Sequence, residues 1–127
     1  MIINPYSQDA EKAALGCFLI DRETLTEGLP QLDEDDFYFP AHKIIFNVII
    51  ELEKKTQPID ILTVSEFLKE SNSLNKVGGV SYISSLVDSV PTTVNFNTYI
   101  KKIKEKSLRR GLIKIANEIV SKAGDNM

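Results

Sequence analysis

The chain has 127 residues, enough for one domain with a buried core and too few for two of ordinary size. Hydrophobic residues make up 43% and charged residues 26%, a globular mixture that excludes pervasive disorder. The net charge of −3 argues against a dedicated nucleic-acid binder, and a single cysteine, Cys17, excludes an internal disulfide, in keeping with a reducing cytoplasm.

No run reaches the ~18 apolar residues of a membrane span; the strongest, Ile44 to Ile50, is interrupted by Asn47. The opening Met1-Ile2-Ile3-Asn4-Pro5 lacks a basic region followed by an apolar block, so no secretory signal is expected. Ser7 is suited to N-cap a first helix running to about Asp21, with Asp9 and Glu11 in the turn where the macrodipole favours acids. Ala10, Ala14, Cys17 and Phe18 line one face of it at helical spacing. A short second helix spans Arg22 to about Gly28, before Pro30. Pro40 suits the first position of a third helix, where a missing N–H is harmless, and Ile44, Ile45, Val48, Ile49 and Leu52 give that helix a wide apolar stripe.

After Gln57-Pro58, the run Thr63-Val64-Ser65-Glu66 has the spacing of a capping box for a fourth helix, whose buried side is Val64, Phe67 and Leu68. Asn72 to Val77 reads as a loop. Gly78-Gly79 then opens a fifth helix carrying Tyr82, Ile83, Leu86 and Val87, which Pro91 ends. No strand-length alternation is present, so the chain is read as all-α.

The last segment, from about Asn95 to Ala123, carries two stripes. At about 100° per residue, Tyr99, Ile100, Ile103 and Ser107 share one face; Leu108, Leu112, Ile115 and Ile119 share another, rotated from it by more than 90°. One core cannot bury both stripes of a straight helix. Either the helix breaks near Arg109-Arg110-Gly111 or its halves pack against different things. The second stripe needs a partner.

No catalytic constellation emerges. None of the six glycines is followed by lysine, so no phosphate-cradling P-loop of the G-x-x-x-x-G-K type exists. One histidine and one cysteine cannot make a structural zinc site. His42, with no nucleophile or carboxylate beside it in sequence, reads as structural or capping, and Cys17 as a buried, unreactive thiol. Asp33-Glu34-Asp35-Asp36 lacks the alternating ligands and glycine of a calcium loop and reads as a solvated acidic loop with one acid capping or pairing locally. The glycine pair reads as a φ > 0 turn. Lys101, Lys102, Lys104, Lys106, Arg109 and Arg110 spread around most of a helix circumference, whereas phosphate tracking needs one charged face, with aromatics for stacking; only Tyr99 is near. A solvated, salt-bridged helix is therefore preferred, with DNA contact through these six residues as the alternative.

Taken in order, these segments resemble the N-terminal domain of the replicative DNA helicase family, the DnaB type. Pro5-Tyr6-Ser7-Gln8-Asp9-Ala10-Glu11 with Leu15-Gly16 resembles its first helix. Asp35-Asp36-Phe37-Tyr38 and His42-Lys43-Ile44-Ile45-Phe46 resemble its acidic–aromatic loop and central helix. Pro58-Ile59-Asp60 with Thr63, Val77-Gly78-Gly79 with Tyr82, and Pro91-Thr92 with Asn95 and Tyr99 continue the match. Ala116-Asn117-Glu118-Ile119 resembles the end of the helix leading into that family's hairpin.

The resemblance implies a compact head of about five to six helices over residues 1–94 and, over 95–127, a long helix that begins a hairpin whose second helix is absent. It also implies a non-catalytic assembly and docking role. In that family hairpins pair between subunits, the heads form a collar of dimers on a hexamer, and the domain helps dock primase. ATP hydrolysis with Mg and DNA unwinding belong to a C-terminal RecA-like domain, so no cofactor is expected here. Leu112, Ile115 and Ile119, with Leu108 at the margin, are then expected to form a seam buried against another helix. Two rival readings stand: a small helical DNA-binding module using the basic 101–110 segment, and a free-standing imitator of this domain that interferes with helicase assembly.

Overall fold

The computed structural model describes residues 4–125. The residues read for a secretory signal at Met1 to Ile3 lie outside this range, as do Asn126 and Met127. The chain forms six α-helices with short 3₁₀ turns between them: α1 (Gln8–Ile20), α2 (Arg22–Gly28), α3 (Pro40–Lys54), α4 (Ile61–Glu70), α5 (Gly79–Asp88) and α6 (Phe96–Gly124). No strand occurs among the described residues, in agreement with the all-α reading.

The hydroxyl of Ser7 accepts the Ala10 amide at 3.2 Å and starts α1, the helix around which the rest assembles. Its small residues Ala10, Ala13, Ala14, Gly16 and Cys17 are buried, as are Leu15, Phe18 and Leu19, and α2, α3, α5 and α6 all pack against it. Gly16 sets the approach of α5, since a Cβ there would fall 2.2 Å from the Leu86 carbonyl oxygen. The Asp21 carboxylate accepts the Glu23 amide at 3.0 Å and caps α2. Pro40 stands in the first turn of α3, as its fixed φ favours, and His42, Ile45, Phe46, Val48, Ile49 and Leu52 are buried along that helix.

The start of α4 differs from the sequence reading. The capping box lies one turn earlier: Asp60 accepts the Thr63 amide at 2.8 Å, and the Thr63 hydroxyl accepts the Asp60 amide at 3.0 Å. Thr63 is therefore the third residue of the helix and not its cap, because its own amide is capped by the Asp60 carboxylate. Within the expected 72–77 loop, Asn75–Val77 makes a 3₁₀ turn that Gly78 ends at φ +102°. That left-handed angle explains the glycine with no ligand required.

α6 runs unbroken through Arg109-Arg110-Gly111 for 29 residues, about 43 Å of helix. Phe96, Ile100 and Ile103 belong to the core of the head, so the helix begins within it. Of the two outcomes open for this segment, its halves meet different surroundings.

Candidate functional site

The first candidate is a buried polar chain that sequence spacing did not reveal. Glu11, in the first turn of α1, is turned inward and almost fully buried, as is His42. Glu11 Oε1 lies 2.8 Å from His42 Nδ1, and His42 Nε2 lies 2.6 Å from the Tyr82 hydroxyl. The second carboxylate oxygen accepts the Tyr38 amide at 2.9 Å. A carboxylate only accepts, so Nδ1 carries the hydrogen, and in the neutral ring Nε2 accepts from the Tyr82 hydroxyl. Burial, and secondarily the Glu11 charge, push the Tyr82 phenol above its ordinary value, which keeps that hydroxyl a donor. Glu11–His42–Tyr82 thus ties α1, α3 and α5 together and holds the 37–39 loop. Both ring nitrogens are occupied and the ring is buried, so the histidine has no free nitrogen to offer a substrate. The structural reading of His42 stands, with a carboxylate partner 31 residues away that sequence proximity did not show.

The thiol of Cys17 is buried; desolvation, followed by the nearby Asp21 charge, pushes it up to about 11. Among the described residues no cluster of three or more His, Cys, Asp or Glu side chains is arranged to hold a metal ion. In the acidic segment, Asp36 is committed: its carboxylate accepts the Asp33 amide at 2.8 Å and the Ser107 hydroxyl at 2.7 Å. Asp33, Glu34 and Asp35 are exposed.

The second candidate is the surface of α6. Tyr99 and Ser107 are half-buried against the head alongside buried Ile100 and Ile103. Leu108, Leu112, Ile115 and Ile119 retain 66%, 59%, 55% and 63% of their surface, so no part of the described chain covers them. Their steps along the helix, of four, three and four residues, keep them on one face, the arrangement a second helix packed along α6 would cover. Adjacent Gly111 and Ala116 add no bulk at its flanks.

The basic segment does not present one face. Lys101 and Lys102 are exposed and Lys106 is half-buried. Lys104 Nζ lies 3.7 Å from an Asp36 carboxylate oxygen, and Arg109 lies 3.7 Å from Glu105. Arg110 donates to the carbonyls of Pro5 and Asp36, each at 2.9 Å, and lies over the Tyr38 ring. The fully described helices include none long and apolar enough to cross a membrane.

Comparison with known proteins gives this geometry a family. Residues 3–105 match the model of the DnaB-like helicase N terminal domain. The replicative DNA helicase DnaB of Treponema pallidum is 38% identical over 121 residues, covering 95% of this chain and 28% of that protein. DnaB of Geobacillus stearothermophilus is 39% identical over 117 residues, covering 92% of this chain and 26% of that protein. The chain therefore spans about a quarter of the length of these relatives. Among solved structures, the N-terminal domain of DnaB helicase from Mycobacterium tuberculosis superposes with a TM-score of 0.90 at 31% identity, covering 94% of this chain and 86% of that one. A DnaB-like replicative helicase described with its interactions with primase superposes with a TM-score of 0.82 at 28% identity, over 93% of this chain and 28% of that one. The helical architecture, the matched residues and the identities together show that the chain belongs to the DnaB-like helicase N-terminal domain family.

Proposed function

We propose that this domain is a non-catalytic assembly and partner-docking element of a hexameric, ATP-dependent replicative helicase acting in the cytoplasm. Its partners in this reading are neighbouring subunits, paired as dimers within the hexamer, and primase. DNA, ATP and Mg are handled by a RecA-like domain elsewhere in the full-length protein. The observation that carries the proposal is the exposed stripe Leu108, Leu112, Ile115 and Ile119 on an unbroken α6. Each Leu or Ile moved from such exposure into a helix–helix contact contributes on the order of 1–2 kcal/mol. The stripe on both partners therefore supplies a gross gain of about 8–16 kcal/mol, the same order as the cost of association, so the seam contributes to pairing alongside other contacts. Family membership and the primase contacts described for a structural relative support the docking half of the reading.

Sedimentation of a full-length helicase carrying this domain tests it. Ile115→Asp with Ile119→Asp places two carboxylates in the contact and is expected to weaken pairing by at least about 3 kcal/mol, a hundredfold in Kd. An oligomeric state untouched by the double change refutes the seam. The DNA-binding alternative is less favoured, because Lys104 and Arg110 are already engaged with the head and Arg109 with Glu105.

A further inference from the structure

α6 leaves the head at a polar knot. The side chains at 104, 107 and 110 recur at one-turn spacing on the helix face turned to the head, and all three meet the Asp36 corner. Lys104 Nζ is 3.7 Å from Asp36 Oδ2, and the Ser107 hydroxyl donates to Asp36 Oδ1 at 2.7 Å. Arg110 Nη2 donates to the Asp36 carbonyl at 2.9 Å. Its Nη1 donates to the Pro5 carbonyl at 2.9 Å, and the guanidinium lies 5.5 Å from the centroid of Tyr38, which stacks on Tyr6. One arginine therefore grips the N-terminal segment, the acidic corner and an aromatic face together. The buried apolar contacts of α6 end earlier, at Ile103, and after Arg110 every described residue is exposed except half-buried Ile113.

We propose that Lys104, Ser107 and Arg110 against Asp36 and Pro5 form a latch that fixes the direction in which the exposed half of α6 projects from the head. Arg110 is its pin. With the latch closed, α6 pivots at Arg110, and position 120 lies about 15 Å beyond the pivot at 1.5 Å per residue. With the latch open, the pivot retreats to Ile103 and the same lever lengthens to about 26 Å. The seam then sweeps a wider arc while the core of the head stays packed. The use of the latch, holding the seam at the angle a partner helix requires, rests on the assembly reading above. The latch itself does not.

The test measures the distance distribution between spin labels at Asn47→Cys on α3 and Val120→Cys on α6, both exposed positions, while buried Cys17 stays unlabelled. Ile115→Asp and Ile119→Asp in the background keep copies apart, so a failure of the seam reading cannot imitate a failure of the latch. Arg110→Ala with Ser107→Ala is expected to broaden the distribution at least about 1.7-fold, the ratio of the two levers. Arg110→Lys keeps the charge and the stem but loses the fork that reaches both carbonyls, and is expected to broaden it by a smaller factor. This single change is the reading to use if the double variant does not fold. An unchanged width in a folded variant overturns the latch.

Discussion

Replacing Glu11 with alanine removes the one acceptor shared by the His42 ring and the Tyr38 amide. In the native chain His42 Nδ1 lies 2.8 Å and the Tyr38 amide 2.9 Å from that carboxylate, while Phe39 N lies 3.5 Å away and contributes little. Alanine leaves two buried or half-buried donors without partners, and each such donor costs about 1–3 kcal/mol. The sum, about 2–6 kcal/mol, brackets the roughly 3–5 kcal/mol lost when one member of a buried polar pair is removed. Against a total stability of about 5–15 kcal/mol this is a large fraction, equivalent to a fall in Tm of roughly 10–20 °C. Glutamine separates loss of the acceptor from loss of shape. Its carbonyl still accepts from Tyr38, and its amide donates to Nδ1 once the imidazole carries its hydrogen on Nε2, with the Tyr82 oxygen accepting. Glu11→Gln is therefore expected to cost only about 1–2 kcal/mol. Urea denaturation of the wild type and both variants at pH 7 reads the difference directly. A cost below about 1 kcal/mol for alanine, or equal costs for alanine and glutamine, refutes the claim that this chain of hydrogen bonds holds the head together.

Gly16→Ala forces a methyl against the Leu86 backbone, which cannot swing aside, and is expected to cost about 3 kcal/mol or more in thermal or urea unfolding. Gly111→Ala meets open space on an exposed helix and is expected to stabilise the chain by up to about 1 kcal/mol; the two changes reversing in order would discredit the α1–α5 packing. Cys17 is raised from its ordinary value of 9.0 to about 11, so the unfolded chain ionises first, and stability fully present below pH 9 declines as pH rises toward 11. Denaturant midpoints at pH 8 and 10.5 are expected to show a loss of about 2 kcal/mol that Cys17→Ala reduces; Tyr82 titrates in the same sense, so some decline persists in the variant. In filter binding at low salt the domain is expected to retain no DNA. Retention with a clear salt slope, abolished by alanine at Lys101, Lys102 and Lys106, would restore the DNA-binding reading.

Local signals in the sequence carried the helices well. Pro40 and the Ile44–Leu52 stripe define α3 because both are read within a few residues of each other, and the two rotated stripes of α6 are a property of one continuous segment. The capping box was harder, since Asp60-x-x-Thr63 and Thr63-x-x-Glu66 overlap in sequence and only the reciprocal hydrogen bonds between Asp60 and Thr63 decide between them. Continuity of α6 through Gly111 was not decidable from the wheel alone, because an exposed glycine is tolerated within a helix and equally marks an end.

The polar knots were least legible. His42 meets Glu11 and Tyr82 across 31 and 40 residues, and Arg110 reaches Pro5 across 105. The available signal for the first was a glutamate beside the apolar face of α1, which its place in the first turn explained equally well by the helix dipole. The stripe at 108–119 was visible because it depends on periodicity alone; what covers it lies in no residue of the chain described.

Thiol labelling of the seam inside the assembled protein provides the most direct measurement. In a full-length helicase carrying this domain, with any cysteine outside it replaced by serine, cysteines placed singly at Ile115 and at Val120 compare the seam with an exposed position nearby on the same helix, while Cys17 within the domain is buried. A seam covered by another helix predicts slow labelling at 115, fast labelling at 120, and equal fast rates for both in the 127-residue chain. Equal fast rates at both positions in the assembled helicase would show that the stripe stays in water and that α6 has no partner there.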